Sequence, residues 1–243
     1  MGDTLDLWKR HCGRVPEEVW ERTGLTTLIL ADNELTALPA AVGRLRALRT
    51  LDLGHNLLTG LPEELGALTS LSDCLYLHDN RLTALPDSLG ALTALRYLNI
   101  GENPLTALPA ALGGLSALLE LHAQHAHLRT LPDSLGRLTR LRELRLRGNA
   151  LTALPATFAK LRALRRLELR DNRFTSVPAC LAGLPLLREL DLRGNPLTTL
   201  PRWLTRLPAL ERLDLRWTGA AAEAEAEAGV RGELEARGCV VWT

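Results

Sequence analysis

The chain has 243 residues and a formal net charge of +1 at pH 7, so its overall charge favours neither nucleic acid nor an anionic membrane as a partner. Aromatic residues make up 4% of the sequence, whereas leucine is abundant, which predicts a core built from one repeated side-chain shape. No apolar run follows Met1 to Asp6, and apolar stretches elsewhere are only a few residues long. The sequence therefore predicts no signal peptide, no transmembrane helix and no membrane association.

The four cysteines lie far apart and show no paired spacing: Cys12, Cys74, Cys180 and Cys239. Such spacing is typical of reduced thiols rather than of a disulfide framework or a zinc site. We therefore predict a cytoplasmic protein.

Residues 1–24 form the first predicted unit, an N-terminal capping half-repeat. Leu5 and Leu7 hold the apolar spacing of the later units, whereas Arg10 and Arg22 replace an asparagine and an apolar residue. A terminal unit needs such a polar outer side, because it covers a core that would otherwise face solvent.

Residues 25–218 repeat one phrase, L-x-x-L-x-L-x-x-N-x-L-x-x-L-P, at a nearly fixed period. Its asparagines are Asn33, Asn56, Asn80, Asn103, Asn149, Asn172 and Asn195, separated by 23, 24, 23, 46, 23 and 23 residues. The step of 46 is two periods, with Ala126 at the skipped site. Self-similarity at this period predicts a solenoid of stacked coils, with about eight full repeats plus a final strand.

Each unit contains two predicted elements. An L-x-L segment such as Leu144 to Leu146 predicts a short strand with one buried face, and the following asparagine predicts a buried ladder between coils. The proline, for example Pro109, opens a return segment with apolar residues three apart, which indicates one or two turns of tight helix. Because a helix is wider than a strand, the stack should curve with its parallel strands on the concave side.

Residues 219–243 form the predicted C-terminal cap. The Ala/Glu-rich run 220–228 predicts a helix that extends towards Arg237, although Gly229 and Gly232 also fit a solvated tail. The segment from Cys239 to Trp242 predicts a closing strand. All five tryptophans lie in the end regions, where large rings can cover an exposed core: Trp8, Trp20, Trp203, Trp217 and Trp242.

These motifs resemble those of leucine-rich repeat proteins, strongly over residues 25–218 and weakly over 5–24. The L-P-x-x-L-x-x-L return segment is similar to the 23-residue intracellular type of Ras-group scaffolds and bacterial homologues. The resemblance implies an α/β solenoid, a horseshoe with a concave parallel β-sheet and short helical turns on the convex side. It also implies a signalling scaffold or adaptor whose partner is a GTPase or kinase, but this motif is nearly silent on function.

Two coils depart from the repeat. One residue is inserted between Leu71 and Leu75, which predicts a bulge at residues 72–74. The fifth coil carries Ala123 and Ala126 in place of the strand leucine and the ladder asparagine. Either neutral drift or a specialised patch in the middle of the face accounts for both departures.

Side chains between the buried leucines should point into the concavity, because side chains alternate along a strand. Three columns follow: the first is Ile29, Asp52, Tyr76, Asn99, His122, Arg145, Glu168, Asp191, Asp214; the second is Ala31, Gly54, His78, Gly101, Gln124, Arg147, Arg170, Arg193, Arg216; the third is Thr27, Thr50, Cys74, Tyr97, Glu120, Glu143, Arg166, Glu189, Arg212. The stacked arginines either form a salt-bridge lattice with neighbouring acids or partly remain free for an acidic partner.

The leading hypothesis is a non-enzymatic scaffold that binds a protein on this concave face. Its candidate residues are Tyr76, Tyr97, Asn99, His122, Arg145, Arg147, Glu168, Arg170, Asp191, Arg193 and Trp217, and Tyr, Trp and Arg usually dominate interface energies. The first half of the face is acidic and rich in histidine, so mild acidification should reduce its negative charge. This polarity permits a self-complementary homodimer, but curved faces pack poorly together, so a monomer is expected.

The alternative is a module that senses a metal or a small molecule through His78, Asp79, Glu102, His122 and His125. These are suitable ligand types, but they come from separate strands and match no metal motif. No nucleophile elbow, phosphate loop or H-E-x-x-H motif occurs, so we predict no enzyme, catalytic residue or cofactor. Acids alternate with the arginines, which argues against nucleic-acid binding.

Overall fold

The computed structural model describes residues 2–219 and 225–243, except the side chains of 225–228. Within these ranges eleven parallel strands form one sheet in which every strand pairs with its neighbours in chain order. The strands are β1 (Asp3–Asp6), β2 (Leu25–Ile29), β3 (Thr50–Asp52), β4 (Cys74–Tyr76), β5 (Tyr97–Asn99), β6 (Glu120–His122), β7 (Glu143–Arg145), β8 (Arg166–Glu168), β9 (Glu189–Asp191), β10 (Arg212–Asp214) and β11 (Val240–Trp242).

Short 3-10 helices alternate with the strands. In the described ranges they are Glu17–Glu21, Ala40–Arg44, Glu63–Ala67, Asp87–Ala91, Ala110–Gly114, Asp133–Arg137, Ala156–Lys160, Ala179–Gly183 and Arg202–Arg206. A proline precedes every one of them, because its fixed φ suits a helix start and its missing N–H has no partner to lose there. The predicted solenoid of strands and tight helical turns is confirmed.

One continuous hydrophobic core runs through the described coils from Val15 to Val241. Leucines fill most of it, and Trp20, Phe158 and Phe174 are its largest fully buried side chains. Because each coil buries its apolar face only against its neighbours, stability depends on stacking. No helix in the described ranges is long and apolar enough to cross a membrane.

The ladder asparagines join the coils, as predicted. Asn172 is representative: its Nδ2 donates to the carbonyl oxygens of Leu146 (2.9 Å), Leu169 (2.9 Å) and Arg170 (3.2 Å). Its Oδ1 accepts from the backbone N–H of Leu151 at 3.0 Å. One amide thus satisfies backbone groups in two coils that no strand pairing reaches.

The ladder is interrupted at Ala126 and ends at Thr218. In the coil before Ala126, the Leu105 N–H donates instead to the carbonyl oxygen of Asn103 at 2.7 Å. In the coil before Thr218 the Leu197 N–H likewise donates within its own coil, to the carbonyl oxygen of Asn195 at 2.8 Å. The backbone therefore absorbs a missing asparagine locally, which explains why one gap is tolerated.

A left-handed backbone position lies immediately before each ladder site. The residues there have φ between 49° and 67°: Asp32, His55, Asp79, Glu102, His125, Gly148, Asp171, Gly194 and Trp217. Asp, His and Gly adopt this conformation more readily than most residues. Backbone geometry thus accounts for much of the acidic and histidine-rich composition at these left-handed positions.

The inserted residue does not disturb the sheet. Cys74 pairs in register with Thr50 on one side and Tyr97 on the other, and Asp73 N–H donates to Arg49 O at 2.9 Å. The extra residue is therefore accommodated at Ser72, before β4. The prediction of a bulge is therefore wrong for β4, whose residues pair in register on both sides.

Each end of the array carries an element that covers the core. At the N-terminal end the backbone N–H groups of Arg10 and Cys12 donate to Asn33 Oδ1 at 3.1 and 3.3 Å. At the other end α1 (Glu225–Ala236) buries Val230 and Leu234, and β11 pairs with β10. The part of the predicted helix over residues 220–224 lies outside the described residues. We propose that these terminal elements are the caps of the solenoid.

Candidate protein-binding face

The strand register aligns the concave side chains as predicted. The first column is continuous, because Asp52 pairs with Tyr76, Tyr76 with Asn99, Asn99 with His122 and His122 with Arg145. The first-column candidates from Tyr76 to Arg145 therefore share one face on the central strands, whereas Arg193 follows β9 and Trp217 follows β10.

Five rings form an aromatic cluster in the first half of the face, defined by His55, Tyr76, His78, Tyr97 and His122. Centroid separations are 4.7 Å for His55 and His78, 6.0 Å for Tyr76 and His78, 5.1 Å for the two tyrosines and 4.9 Å for Tyr97 and His122. Three of these contacts are edge-to-face, an arrangement favoured by the charge distribution of aromatic rings. The cluster joins side chains from all three columns, a contact that alternation along single strands does not predict.

Two candidate residues are buried beneath this surface. Asn99 is 8% exposed, and its Oδ1 accepts from the Gly101 N–H at 3.1 Å. His122 is 6% exposed, and its Nδ1 lies 2.9 Å from the hydroxyl of Tyr97. Both residues therefore support the face from below, and Tyr97 presents the accessible surface above His122.

The imidazole of His122 lies between two carboxylates that the sequence hypothesis did not include. Its Nε2 is 3.6 Å from Glu120 Oε2 and 3.7 Å from Glu143 Oε1, and within the described part of the chain it has no hydrogen-bond partner. Glu143 is also held by Arg145, whose Nε donates to Oε1 at 2.6 Å. The strand register was the available signal, because Glu120 pairs with Glu143 in the third column and Glu120 lies on the same strand as the first-column His122.

Burial, followed by the positive charge of Arg145, lowers the pKa of His122 to about 4. Glu143 opposes this shift and His78 adds to it. Burial and the neighbouring His55 also lower the pKa of His78. Our expectation that mild acidification protonates the histidines of the acidic half is therefore wrong for His122, and the lowered pKa of His78 opposes it there, because desolvation disfavours the charged form.

The lowered pKa of His122 predicts a loss of stability in acid. The ordinary pKa is 6.5 and the folded value about 4, so between these pH values the unfolded chain binds more protons than the folded one. The contribution of His122 to the free energy of unfolding is then fully present above pH 6.5. It is lost as the pH falls towards 4 and amounts to roughly 2–3 kcal/mol after allowance for screening. Urea unfolding at pH 7.0 and 4.5, with a metal chelator present, measures this loss.

The matched variant for this experiment is His122→Asn, because the preceding strand carries Asn99 at the same register position. Its unfolding free energy should fall less between the two pH values than that of the wild type. His127→Asn, which alters an exposed histidine, should keep the wild-type slope. Equal slopes for wild type and His122→Asn would contradict the assignment.

The second half of the face is a salt-bridge lattice. Arg193 contacts Asp191 at 2.5 Å and Asp214 at 3.2 Å, and Arg216 contacts Asp214 at 2.7 Å. Arg147 lies 4.0 Å from its nearest acid, Glu168. The ion pair of Arg147 is therefore looser than those of Arg193 and Arg216.

A hollow of about 390 Å³ lies over β7 to β11. Paired acids and arginines line it together with Trp242, which is 41% exposed. Trp217 is 70% exposed, and the guanidinium groups of Arg170 and Arg216 lie 5.8 and 5.7 Å from its ring. Two exposed indoles thus stand beside the charged hollow.

The ligand set predicted for a metal-sensing module is not brought together. Among the described residues, the group whose ligand atoms all lie within 4.8 Å of one another is Glu120, His122 and Glu143. Asp79 instead pairs with His55, at 2.7 Å. Of the predicted set, only His122 belongs to a compact group.

The sequence profile described as Leucine rich repeat matches residues 23–73, 74–128, 125–174, 139–197 and 178–219. The chain therefore belongs to the leucine-rich repeat family. No curated protein sequence matches it.

Solved structures share the fold. The leucine-rich repeat protein LIC12759 of Leptospira interrogans is 23% identical with a TM-score of 0.58, covering 100% of this chain and 96% of that one. The ectodomain of the membrane receptor kinase GASSHO1/SCHENGEN3 of Arabidopsis thaliana, in complex with CASPARIAN STRIP INTEGRITY FACTOR 2, is 30% identical with a TM-score of 0.79 over 89% of this chain. The plant peptide hormone receptor RGFR1, in complex with RGF2, is 31% identical with a TM-score of 0.67 over 84%. This chain spans 27% and 38% of those two receptors.

Proposed function

We propose that this protein is a non-enzymatic scaffold that binds a segment of another protein on its concave face. The observation that carries the proposal is the exposed Trp217, whose ring contacts Arg216 in the lining of the charged hollow over β7 to β11. Exposed indole and arginine side chains are the types that most often provide binding energy. The hydrogen-bonded coils hold the backbone of these residues in place, which limits the conformational entropy lost on binding.

The partner segment should carry both acidic and apolar side chains. Arg147 makes a long ion pair with Glu168, at 4.0 Å, and among the described ion pairs Arg170 has only the one with the adjacent Asp171, at 2.9 Å. A carboxylate from a partner can replace such a weak surface pair at small cost. The indole of Trp217, which lies next to Arg170, offers the apolar contact.

The likeness to two plant receptors in complex with CASPARIAN STRIP INTEGRITY FACTOR 2 and RGF2 supports a protein or peptide as the ligand class. The intracellular type of repeat makes signalling GTPases and kinases the first partners to assay. We also propose the cytoplasm as the location, because all four cysteines lie in the described ranges and are free. The expected monomeric state stays a prediction.

A quantitative affinity pull-down from the native cytoplasm tests the proposal. The wild-type protein and the double variant Arg147→Ala/Trp217→Ala are compared as baits. Proteins bound through the concave face should be at least about tenfold depleted on the double variant, because two anchors are removed.

The matched control bait is Arg162→Ala/Leu186→Ala, which removes an exposed arginine and an exposed apolar residue outside the three columns. It should retain the wild-type partners. If the double variant and the control bait retain the same partners equally, the concave face is not the binding surface.

A further inference from the structure

Three potential ligand atoms converge at the centre of the concave face. His122 Nε2 lies 3.6 Å from Glu120 Oε2 and 3.7 Å from Glu143 Oε1, and one ligand atom from each of the three residues lies within 4.8 Å of the other two. Zinc binds nitrogen and carboxylate oxygen at about 2.0–2.2 Å in tetrahedral geometry, which places ligand atoms about 3.3–3.6 Å apart. Two of the three separations are therefore close to those of a zinc site.

The buried imidazole provides an independent reason for a ligand at this point. His122 is 6% exposed, and in the described part of the chain its Nε2 has no hydrogen-bond partner. A buried polar atom without a partner costs free energy. Either tautomer leaves this atom unsatisfied, because 3.6 and 3.7 Å exceed the length of a hydrogen bond.

The hydroxyl of Tyr97 orients the imidazole of His122 for metal binding. It lies 2.9 Å from Nδ1 of His122, so Nδ1 can donate its proton to the tyrosine oxygen while the lone pair of Nε2 faces the two carboxylates. Metal-bound histidines usually donate their other N–H to a protein acceptor in this way, which fixes the ring and its tautomer.

We propose that Glu120, His122 and Glu143 form a binding site for one Zn²⁺ ion, with Tyr97 positioning the imidazole. Water completes the tetrahedral coordination, because Glu120 has a side chain that is 43% exposed at the surface. The site is distinct from the metal-sensing set that the sequence predicts, with which it shares only His122.

Arg145 limits the affinity of this site. Its Nε donates to Glu143 Oε1 at 2.6 Å, the same oxygen that faces His122. A cation beside the site opposes zinc by charge repulsion and shares the ligand oxygen. We therefore expect micromolar binding in the wild type and tighter binding when this arginine is neutralised.

Isothermal titration of the metal-stripped protein with ZnCl₂ tests the proposal. The wild type should bind one equivalent. Glu120→Gln and His122→Ala should weaken binding by at least about tenfold, and Tyr97→Phe by about tenfold, the usual cost of losing an outer-shell partner. Arg145→Gln should tighten binding by about threefold or more, a change of sign that general damage to the fold would not produce.

Two control variants test whether side chains outside the group bind the metal. His127→Ala changes an exposed histidine outside the group and should bind as the wild type does. Cys74→Ser tests the free thiol of the third column and should also bind normally. Absence of stoichiometric binding by the wild type, unchanged binding by Glu120→Gln, or loss in Cys74→Ser would each overturn the proposal. Because Glu120 is partly exposed, Glu120→Gln should fold even if His122→Ala does not.

Discussion

Deletion of residues 219–243 is expected to destabilise the protein by about 5 kcal/mol or more and to cause self-association. The segment buries Val230, Leu234 and Val241 against the end of the array, and each such side chain contributes about 1.5–3 kcal/mol when buried. Its removal also exposes the outer edge of β10, because β11 is the strand paired there. An apolar end and an open strand edge both promote association. Light scattering after gel filtration, together with urea unfolding, measures both effects.

Two point variants separate the effect of the buried apolar side chains on stability from the effect of deleting the whole segment. Leu234→Ala removes a side chain that is 1% exposed and should cost about 2–4 kcal/mol. Glu235→Ala alters the adjacent residue, which is exposed and pairs with Arg231 at 2.8 Å, and should cost only a few tenths of a kcal/mol. A shortened protein that remains monomeric and as stable as the full chain would contradict the proposed capping role.

Replacement of Asn149 by alanine is expected to lower the free energy of unfolding by roughly 1–3 kcal/mol. Its Oδ1 accepts from the N–H groups of Ala126 and Leu128 at 3.2 and 2.9 Å, and its Nδ2 donates to Ala123 O at 2.8 Å. These backbone groups are buried, so they lose their partners without gaining water. Hydrogen exchange should show the loss concentrated in neighbouring coils, because each coil contacts only its neighbours.

The control for the ladder is Asn99→Ala. Asn99 is also buried, but among the described residues its side chain accepts one hydrogen bond, from the Gly101 N–H, so a smaller loss is expected. The reverse change, Ala126→Asn, should restore an acceptor for the Leu105 N–H and stabilise by up to about 1 kcal/mol. If Asn149→Ala melts at the wild-type temperature, the account of a buried ladder is wrong.

The composition of the candidate face could be predicted from the sequence, but its contacts could not. A strict strand register places Tyr76, Asn99 and His122 in one column, and alternation along each strand determines the face to which they belong. Long side chains then reach across columns, as Tyr97 does to His122. Their directions depend on the rotamers that neighbouring coils allow, which repeat spacing does not specify.

The sequence by itself determined the solenoid, the concave strands, the ladder with its gap at Ala126 and the columns of the face, because a period repeated over many coils leaves one way to bury the leucines. Only the tertiary structure decided that Asn99 and His122 are buried, that Glu120 and Glu143 flank an unsatisfied imidazole, and that the residue before each ladder site is left-handed. The physical reason is that burial, pKa and backbone strain depend on the packing of side chains between adjacent coils. Sequence periodicity defines which residues are neighbours, whereas side-chain packing defines the chemistry between them.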